Sequence, residues 1–200
     1  MNHGLTLKNN GPGLLPSDGH LFLIEQALKT DEADLLMACL QKKIAWRTEK
    51  ISLFGRSMQM PRLVAWQGDR PYTYSGHTHP PAQWSPEVLS IKKVVDDLAG
   101  ARFNAVLLNY YRDGRDSMGW HSDDERSLGL EPLIASVSLG AERVFQVRRR
   151  DDHRERFSFL LPHGSCLVMA GAMQRYWQHA LPKTAKPVGA RVNLTFRRVM

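Results

Sequence analysis

From Gly100 onward the chain breaks into short segments rich in apolar residues: RFNAVLLNYY, PLIASVSLG, ERVFQVRR, RFSFLL, GSCLVMAG and RVNLTFRR. Gly, Asp and Pro separate them, and short strands at such spacing predict an all-β sandwich or jelly roll. The last segment is the most specific. Read with a period of two, it sets Val192, Leu194 and Phe196 on one face and Arg191, Asn193, Thr195 and Arg197 on the other. The apolar row is core. For a lone strand the polar row is the solvated outer side of a sheet, and the rest of the chain decides whether it is something else.

The first half supplies helices. Residues 1–20, rich in Gly and Pro, read as a loosely ordered arm. TDEADLLMACLQKK follows as a helix with Thr30 as N-cap, acids in its first turn and lysines in its last. A second helix has Ser85 as N-cap, Pro86 at its first position, Val88, Leu89, Ile91, Val95 and Leu98 on one face, and Gly100 as its stop. Between them residues 46–81, dotted with aromatics, Gly and Pro, predict short strands and exposed turns. The run RRRDDHRER at 148–156, mixed in sign, reads as a solvated hairpin turn.

A chain of 200 residues can bury one sizeable core and fits a single domain. Its net charge of +7 and pI near 9.6 point to a polyanionic partner, because clustered Lys and Arg release counterions from phosphate chains. No apolar run is long enough to cross a bilayer, and the N-terminus lacks the layout of a signal peptide, so an intracellular protein is expected. Cys39 and Cys166 lack metal-type spacing and read as packing residues.

In MGWHSDDERS, His121 and Asp123 are two apart and project to one side of an extended segment. His179, in QRYWQHALP, is the best candidate for a third ligand. Two His and one carboxylate hold one face of non-haem Fe(II) and leave positions open. Alternatively HSDDE is an acidic turn. His77 and His79 have ligand-like spacing, but an exposed Pro-flanked loop explains them and they are not assigned to metal. A dicarboxylate cosubstrate held by arginines of the final strand would give the polar row a purpose, since guanidinium groups match carboxylates in bidentate fashion. Asn109 and Tyr111, two apart on one strand, would add polar groups to the same site.

Together, NYYRDGRDSMGWHSDDE, IASVSLG, QRYWQHALP and ARVNLTFRR closely resemble, in order and spacing, the AlkB family of Fe(II)- and 2-oxoglutarate-dependent dioxygenases, from about Ile51 to Arg198. The likeness is greatest to the branch that repairs alkylated bases. It implies an α+β fold: a double-stranded β-helix (jelly roll) core over about 101–198, N-terminal helices packed on it, and a nucleotide-recognition hairpin region over about 45–84 that contains ISLFG, PRLVAW and YTYSG. It implies that His121, Asp123 and His179 hold the iron, and that Asn109, Tyr111, Arg191, Asn193, Thr195 and Arg197 line the 2-oxoglutarate site. Arg62, Tyr72, Tyr74, Ser75, Asp124 and Glu125 would face the substrate, with Phe54 filling the gap left in the base stack. The implied reaction consumes O2 and 2-oxoglutarate, yields succinate and carbon dioxide, and hydroxylates an N-methyl group that leaves as formaldehyde.

The substrates expected are N-alkylated bases such as 1-methyladenine and 3-methylcytosine in DNA, with RNA left open, and a monomer that has no membrane partner. In a bacterium this would be a cytoplasmic, nucleoid-associated protein, and in a eukaryote a nuclear one. A base methylated on its pairing edge must be extruded from a duplex, and an aromatic wedge offsets part of that cost. Phe54 is equally readable as a packing residue of its hairpin, Tyr72 and Tyr74 as a surface pair, and Asp124 and Glu125 as a solvated turn. Two other functions fit parts of the pattern: a hydroxylase of the same chemistry acting on a protein or small molecule, and a basic, non-catalytic nucleic-acid-binding module.

Overall fold

The structure is a computed structural model that describes residues 13–53, 56–74 and 77–200. Its strands are β1 (His20–Ile24), β2 (Lys50–Leu53), β3 (Arg56–Gln59), β4 (Leu63–Gly68), β5 (Tyr72–Tyr74), β6 (His77–His79), β7 (Ala105–Tyr111), β8 (Met118–His121), β9 (Ile134–Gly140), β10 (Arg143–Arg149), β11 (Arg156–Leu161), β12 (Ser165–Ala170), β13 (Trp177–Leu181) and β14 (Arg191–Arg197). The helices are α1 (Thr30–Lys43), α2 (Pro86–Ala99) and the short α3 (Met173–Tyr176). A major sheet runs β1-β12-β9-β14-β7-β4 and a minor one β11-β10-β13-β8; β2–β3 and β5–β6 are separate hairpins.

Helices α1 and α2 lay their apolar stripes on the outer face of the major sheet. Leu36, Met37 and Leu40 of α1 and Val88, Ile91 and Val95 of α2 meet Val106, Leu108, Val137, Leu139, Val192, Leu194 and Phe196. Burying each large side chain contributes about 1.5–3 kcal/mol, so this is where most of the stability resides. Leu89, expected on the buried stripe, is 47% exposed, and Ala99 closes the stripe instead. Gly100 ends α2 in the left-handed region at φ 61°, where a side chain would be strained.

The caps depart from expectation in detail. Lys29, extended at φ −65° and ψ 148°, is the N-cap of α1, and Thr30 is already helical. Ser85 does precede Pro86, but its N–H donates to Gln67 Oε1 and its hydroxyl accepts from Gln67 Nε2, so its oxygen does not cap the helix.

The N-terminal arm is tied down over its described part. Leu15 is buried, Trp177 Nε1 donates to Ser17 O, and at its last residue the arm runs into His20–Ile24, which pairs with β12 as an edge strand of the major sheet. PRLVAW, expected in the recognition segment, is also core, since β4 pairs with β7 along six residues. The run at 148–156 does turn between β10 and β11, although its first two arginines belong to β10. Cys39 and Cys166 are free thiols, and burial pushes the Cys166 thiol up to about 12. No described helix is long and apolar enough to cross a membrane.

Candidate active site

Between the two sheets the packing is apolar at the ends. Leu21, Ile134, Phe145, Leu167 and Trp177 fill one end, and Met60, Val64, Trp66 and Leu107 fill the other. Between these clusters lies a cavity whose floor is the inner face of β14 and β7. The polar row of β14 is therefore not solvated: Arg191, Asn193, Thr195 and Arg197 are all buried. Register explains the assembly. Asn193 pairs across β14–β7 with Asn109 and Arg191 with Tyr111, while Thr195 pairs across β14–β9 with Ser136. With a period of two on every strand, these side chains share one face.

The floor is a continuous hydrogen-bonded ladder. Arg62 Nε donates to Asn109 Oδ1 at 2.7 Å, and Asn109 Nδ2 to Asn193 Oδ1 at 3.4 Å. Asn193 Nδ2 donates to Ser136 Oγ and Val137 O, and Thr195 Oγ1 to Asn193 Oδ1. Such a network holds buried polar groups in one geometry because each lost bond leaves a desolvated partner.

Above this floor, His121 ends β8 and sits opposite His179 of β13, their ring centroids 4.2 Å apart. Asp123 follows β8. One donor atom from each of His121, Asp123 and His179 lies within 4.8 Å of the other two. Every feature of the set is biased toward presenting lone pairs inward. His121 Nδ1 donates to Gly119 O at 2.9 Å, which leaves Nε2 unprotonated and 3.8 Å from Asp123 Oδ1. Arg197 places Nε and Nη2 on Asp123 Oδ2 at 3.2 and 2.8 Å, so that oxygen is used and Oδ1 is buried without a partner. His179 Nδ1 is buried without a partner as well. Gln174 Oε1 accepts the Asp123 N–H and fixes the backbone behind the carboxylate.

The electrostatics agree. Burial drives the His121 and His179 imidazoles below their ordinary range, His179 to about 3 with His121 adding to the fall, so both rings are neutral near pH 7. Burial pushes the Asp123 carboxyl up, but the charge and hydrogen bonds of Arg197 outweigh it and hold the group ionised. Two neutral imidazoles and one carboxylate with an orphaned oxygen are the donor set of non-haem Fe(II), and the residues fit that metal.

The matches to known proteins concur. The profile of the 2OG-Fe(II) oxygenase superfamily matches residues 20–197. The "Alpha-ketoglutarate-dependent dioxygenase alkB homolog 3" of Homo sapiens is 41% identical over 177 residues, 84% of this chain and 62% of that protein. The "DNA oxidative demethylase ALKBH2" of Arabidopsis thaliana is 36% identical, with 96% of this chain and 71% of that protein covered. The chain belongs to the AlkB family. It spans less than two thirds of the length of its alkB homolog 3 relatives. The solved structure of OsALKBH1 superposes with a TM-score of 0.65 at 20% identity over 89% of this chain and 97% of that one, which supports the jelly-roll fold.

All nine residues expected at the metal and cosubstrate positions of this AlkB-family chain line the one cavity. The substrate-side expectations fare differently. Arg62 is buried and donates to Asn109 Oδ1 and Ser117 O. Asp124 is exposed and paired with Arg150, while Glu125 is half-buried before a turn of 3-10 helix at Arg126–Leu128. Tyr72 and Tyr74 lie on β5, and Phe54 and Ser75 fall outside the described residues. Sequence reasoning missed Ser136, Ser138 and Gln174. The serines carried a signal in the alternation of IASVSLG; Gln174 carried none, since its role depends on chain folding back from beyond β12.

Proposed function

We propose that the protein is an Fe(II)- and 2-oxoglutarate-dependent dioxygenase that removes methyl groups from N-alkylated bases, such as 1-methyladenine and 3-methylcytosine, in DNA, and that it acts as a monomer inside the cell. The observation that carries this reading is the meeting of the His121–Asp123–His179 donor set, in which Asp123 Oδ1 and His179 Nδ1 are buried without a partner, with buried arginines on the same cavity. Relatives named as DNA oxidative demethylases and the net charge of +7 support the nucleic-acid substrate.

In this reading His121, Asp123 and His179 hold iron(II), and Asn109, Tyr111, Arg191, Asn193, Thr195 and Arg197 line the seat of 2-oxoglutarate. Bound iron and 2-oxoglutarate together activate O2 for hydroxylation of the N-methyl carbon, with succinate, carbon dioxide and formaldehyde as products. The chain's own contributions are positional. Arg197 ties down one oxygen of Asp123 and aims the other, Gly119 O fixes the tautomer of His121, and Arg191 with Tyr111 offers a cation and a hydroxyl to a carboxylate. Phe145, Leu161 and Met169 make the remaining walls apolar and exclude water. On the open side, Asp124 and Glu125 would accept from an exocyclic amine and balance the charge of an N-methylated base. Tyr72, Tyr74 and Ser75 would face that base, and Phe54 would occupy its place in the stack.

The test is mass spectrometry of single- and double-stranded oligonucleotides carrying 1-methyladenine or 3-methylcytosine after incubation with iron, ascorbate and 2-oxoglutarate. Demethylation with matching succinate and formaldehyde is expected. Turnover of 2-oxoglutarate that no DNA or RNA oligonucleotide stimulates would instead favour a protein or small-molecule hydroxylase. No turnover at all would favour a non-catalytic binding module.

A further inference from the structure

The buried cations around the cavity are unequally partnered. Arg197 has the Asp123 carboxylate. Arg191 and Arg143 are 2% and 3% exposed, yet among the described residues neither forms an ion pair with a carboxylate. Arg191 donates to Ser138 Oγ at 2.9 Å and its Nε is buried without a partner. Arg143 spends its donors on backbone: Asp113 O at 3.2 Å, Asp116 O at 2.9 Å and Pro182 O at 2.6 Å. The two guanidinium carbons converge on one ring, at 5.2 Å (Arg191) and 5.9 Å (Arg143) from the centroid of Tyr111.

These three residues sit where the sheets meet. Tyr111 and Arg191 are opposed on β7 and β14, and Arg143 reaches them from β10 of the minor sheet. Two of its carbonyl partners belong to the loop that leads into β8 and His121; the third follows β13 and His179. The same loops touch at Gly114, where Thr184 N–H donates to Gly114 O and an added Cβ would stand 2.5 Å from Thr184 O. Only Tyr111 and Arg191 line the cavity, and Arg143 stands behind them.

Burying two like charges around one ring without a carboxylate is costly unless an anion completes the arrangement. Burial pulls the Arg191 pKa down to about 10; Tyr111 resists the fall and Arg143 adds to it. Arg143 thus raises the demand of Arg191 for a negative ligand, while Asp116 and Asp113 offset part of the burial of Arg143 itself.

We propose that Arg143 is a positioning residue for the cosubstrate: from behind Tyr111 it adds a second positive charge at the Arg191 end of the cavity and so selects 2-oxo acids that carry a distal carboxylate. This rests on the reading that 2-oxoglutarate binds here.

The test is calorimetric titration of the full chain, loaded with Mn(II), with 2-oxoglutarate and with 2-oxopentanoate, which lacks the distal carboxylate. Arg143→Gln is expected to weaken 2-oxoglutarate about tenfold and 2-oxopentanoate less than about twofold. Equal weakening of both would make Arg143 a scaffold residue and overturn the proposal, as would wild-type preference surviving intact in the variant. If Arg143→Gln does not fold, Arg143→Lys decides. It keeps the charge, so retained preference for 2-oxoglutarate supports the proposal and its loss overturns it. Wild-type protein that binds both acids alike would overturn the cosubstrate reading itself, an outcome visible before any variant is made.

Discussion

Toward the helices β14 presents Val192, Leu194 and Phe196, and toward the minor sheet Arg191, Asn193, Thr195 and Arg197; no residue of the strand is more than 7% exposed. The two faces are equally removed from water, yet one gains free energy from that removal and the other spends it. The apolar face meets apolar neighbours on α1, α2 and the flanking strands. The polar face is held in place by hydrogen bonds and leaves an orphaned Asp123 Oδ1, His179 Nδ1 and Arg191 Nε around a cavity. Burial alone therefore does not distinguish core from site. Groups desolvated without a partner do, because a fold retains them at a cost only where a ligand supplies what is missing.

The comparison predicts opposite consequences for substitutions a few ångströms apart. The largest effect is expected at the metal set. His121→Ala and His179→Ala should abolish 2-oxoglutarate turnover and weaken binding of Mn(II), with little change in the melting temperature of the metal-free protein, since each removed ring is neutral. Asp123→Ala should do more. It leaves Arg197 buried without its counter-charge, and losing one partner of a buried pair costs about 3–5 kcal/mol. Denaturant unfolding of the three metal-free variants checks this, and a stable Asp123→Ala protein would refute the Arg197 pairing.

On the opposite face Leu194→Ala should cost about 2–5 kcal/mol of stability through transfer and cavity terms, while the affinity for 2-oxoglutarate stays at the wild-type value. Its neighbour should invert that pattern. Arg191→Ala loses a charge-assisted contact of about 1.5–3 kcal/mol to a carboxylate, so the 2-oxoglutarate requirement should rise about ten- to a hundredfold. Because the same change removes a buried cation that no carboxylate neutralises, stability should hold or increase. Paired chemical denaturation and cosubstrate titration of the two variants would break the comparison if both lost stability alike.

Much of this was legible in the chain. Alternation in RVNLTFRR separated the two faces correctly, and HSD with the distal His179 marked the donor set. What alternation lacked was any sign that both faces are dry, since a period of two reports difference and not solvent. The edge strand HLFLI went unread because an arm rich in Gly and Pro precedes it and its pairing partner lies about 145 residues away, beyond local pattern. Arg143 and Gln174 were invisible for the same reason: their partners are carbonyls and N–H groups that come close only in the folded chain. The helix face of α2 failed at one residue, Leu89, where apolar character was taken for burial.

The smallest effect is expected outside both faces, in the loop between β7 and β8. Asp116 is buried and accepts from the Arg112 backbone N–H and from Arg112 Nε and Nη2 at 2.8–2.9 Å, while its own carbonyl accepts from Arg143. Burial pushes its carboxyl up, but the Arg112 hydrogen bonds and charge prevail and hold it below the ordinary carboxylate value of 3.8. A carboxylate depressed in the folded state stabilises the protein above its unfolded pKa, and the gain disappears as pH falls through the folded pKa. Stability attributable to Asp116 should thus be complete at neutral pH and fade below about pH 4. Asp116→Asn keeps an acceptor for Arg112 but no charge, so it should cost about 1 kcal/mol at pH 7 and converge with the wild type in acid. Denaturation curves from pH 7 to pH 3 measure both limbs. A gap between the two proteins that stays constant with pH would mean that hydrogen-bond geometry, and not ionisation, secures this loop beneath Arg143.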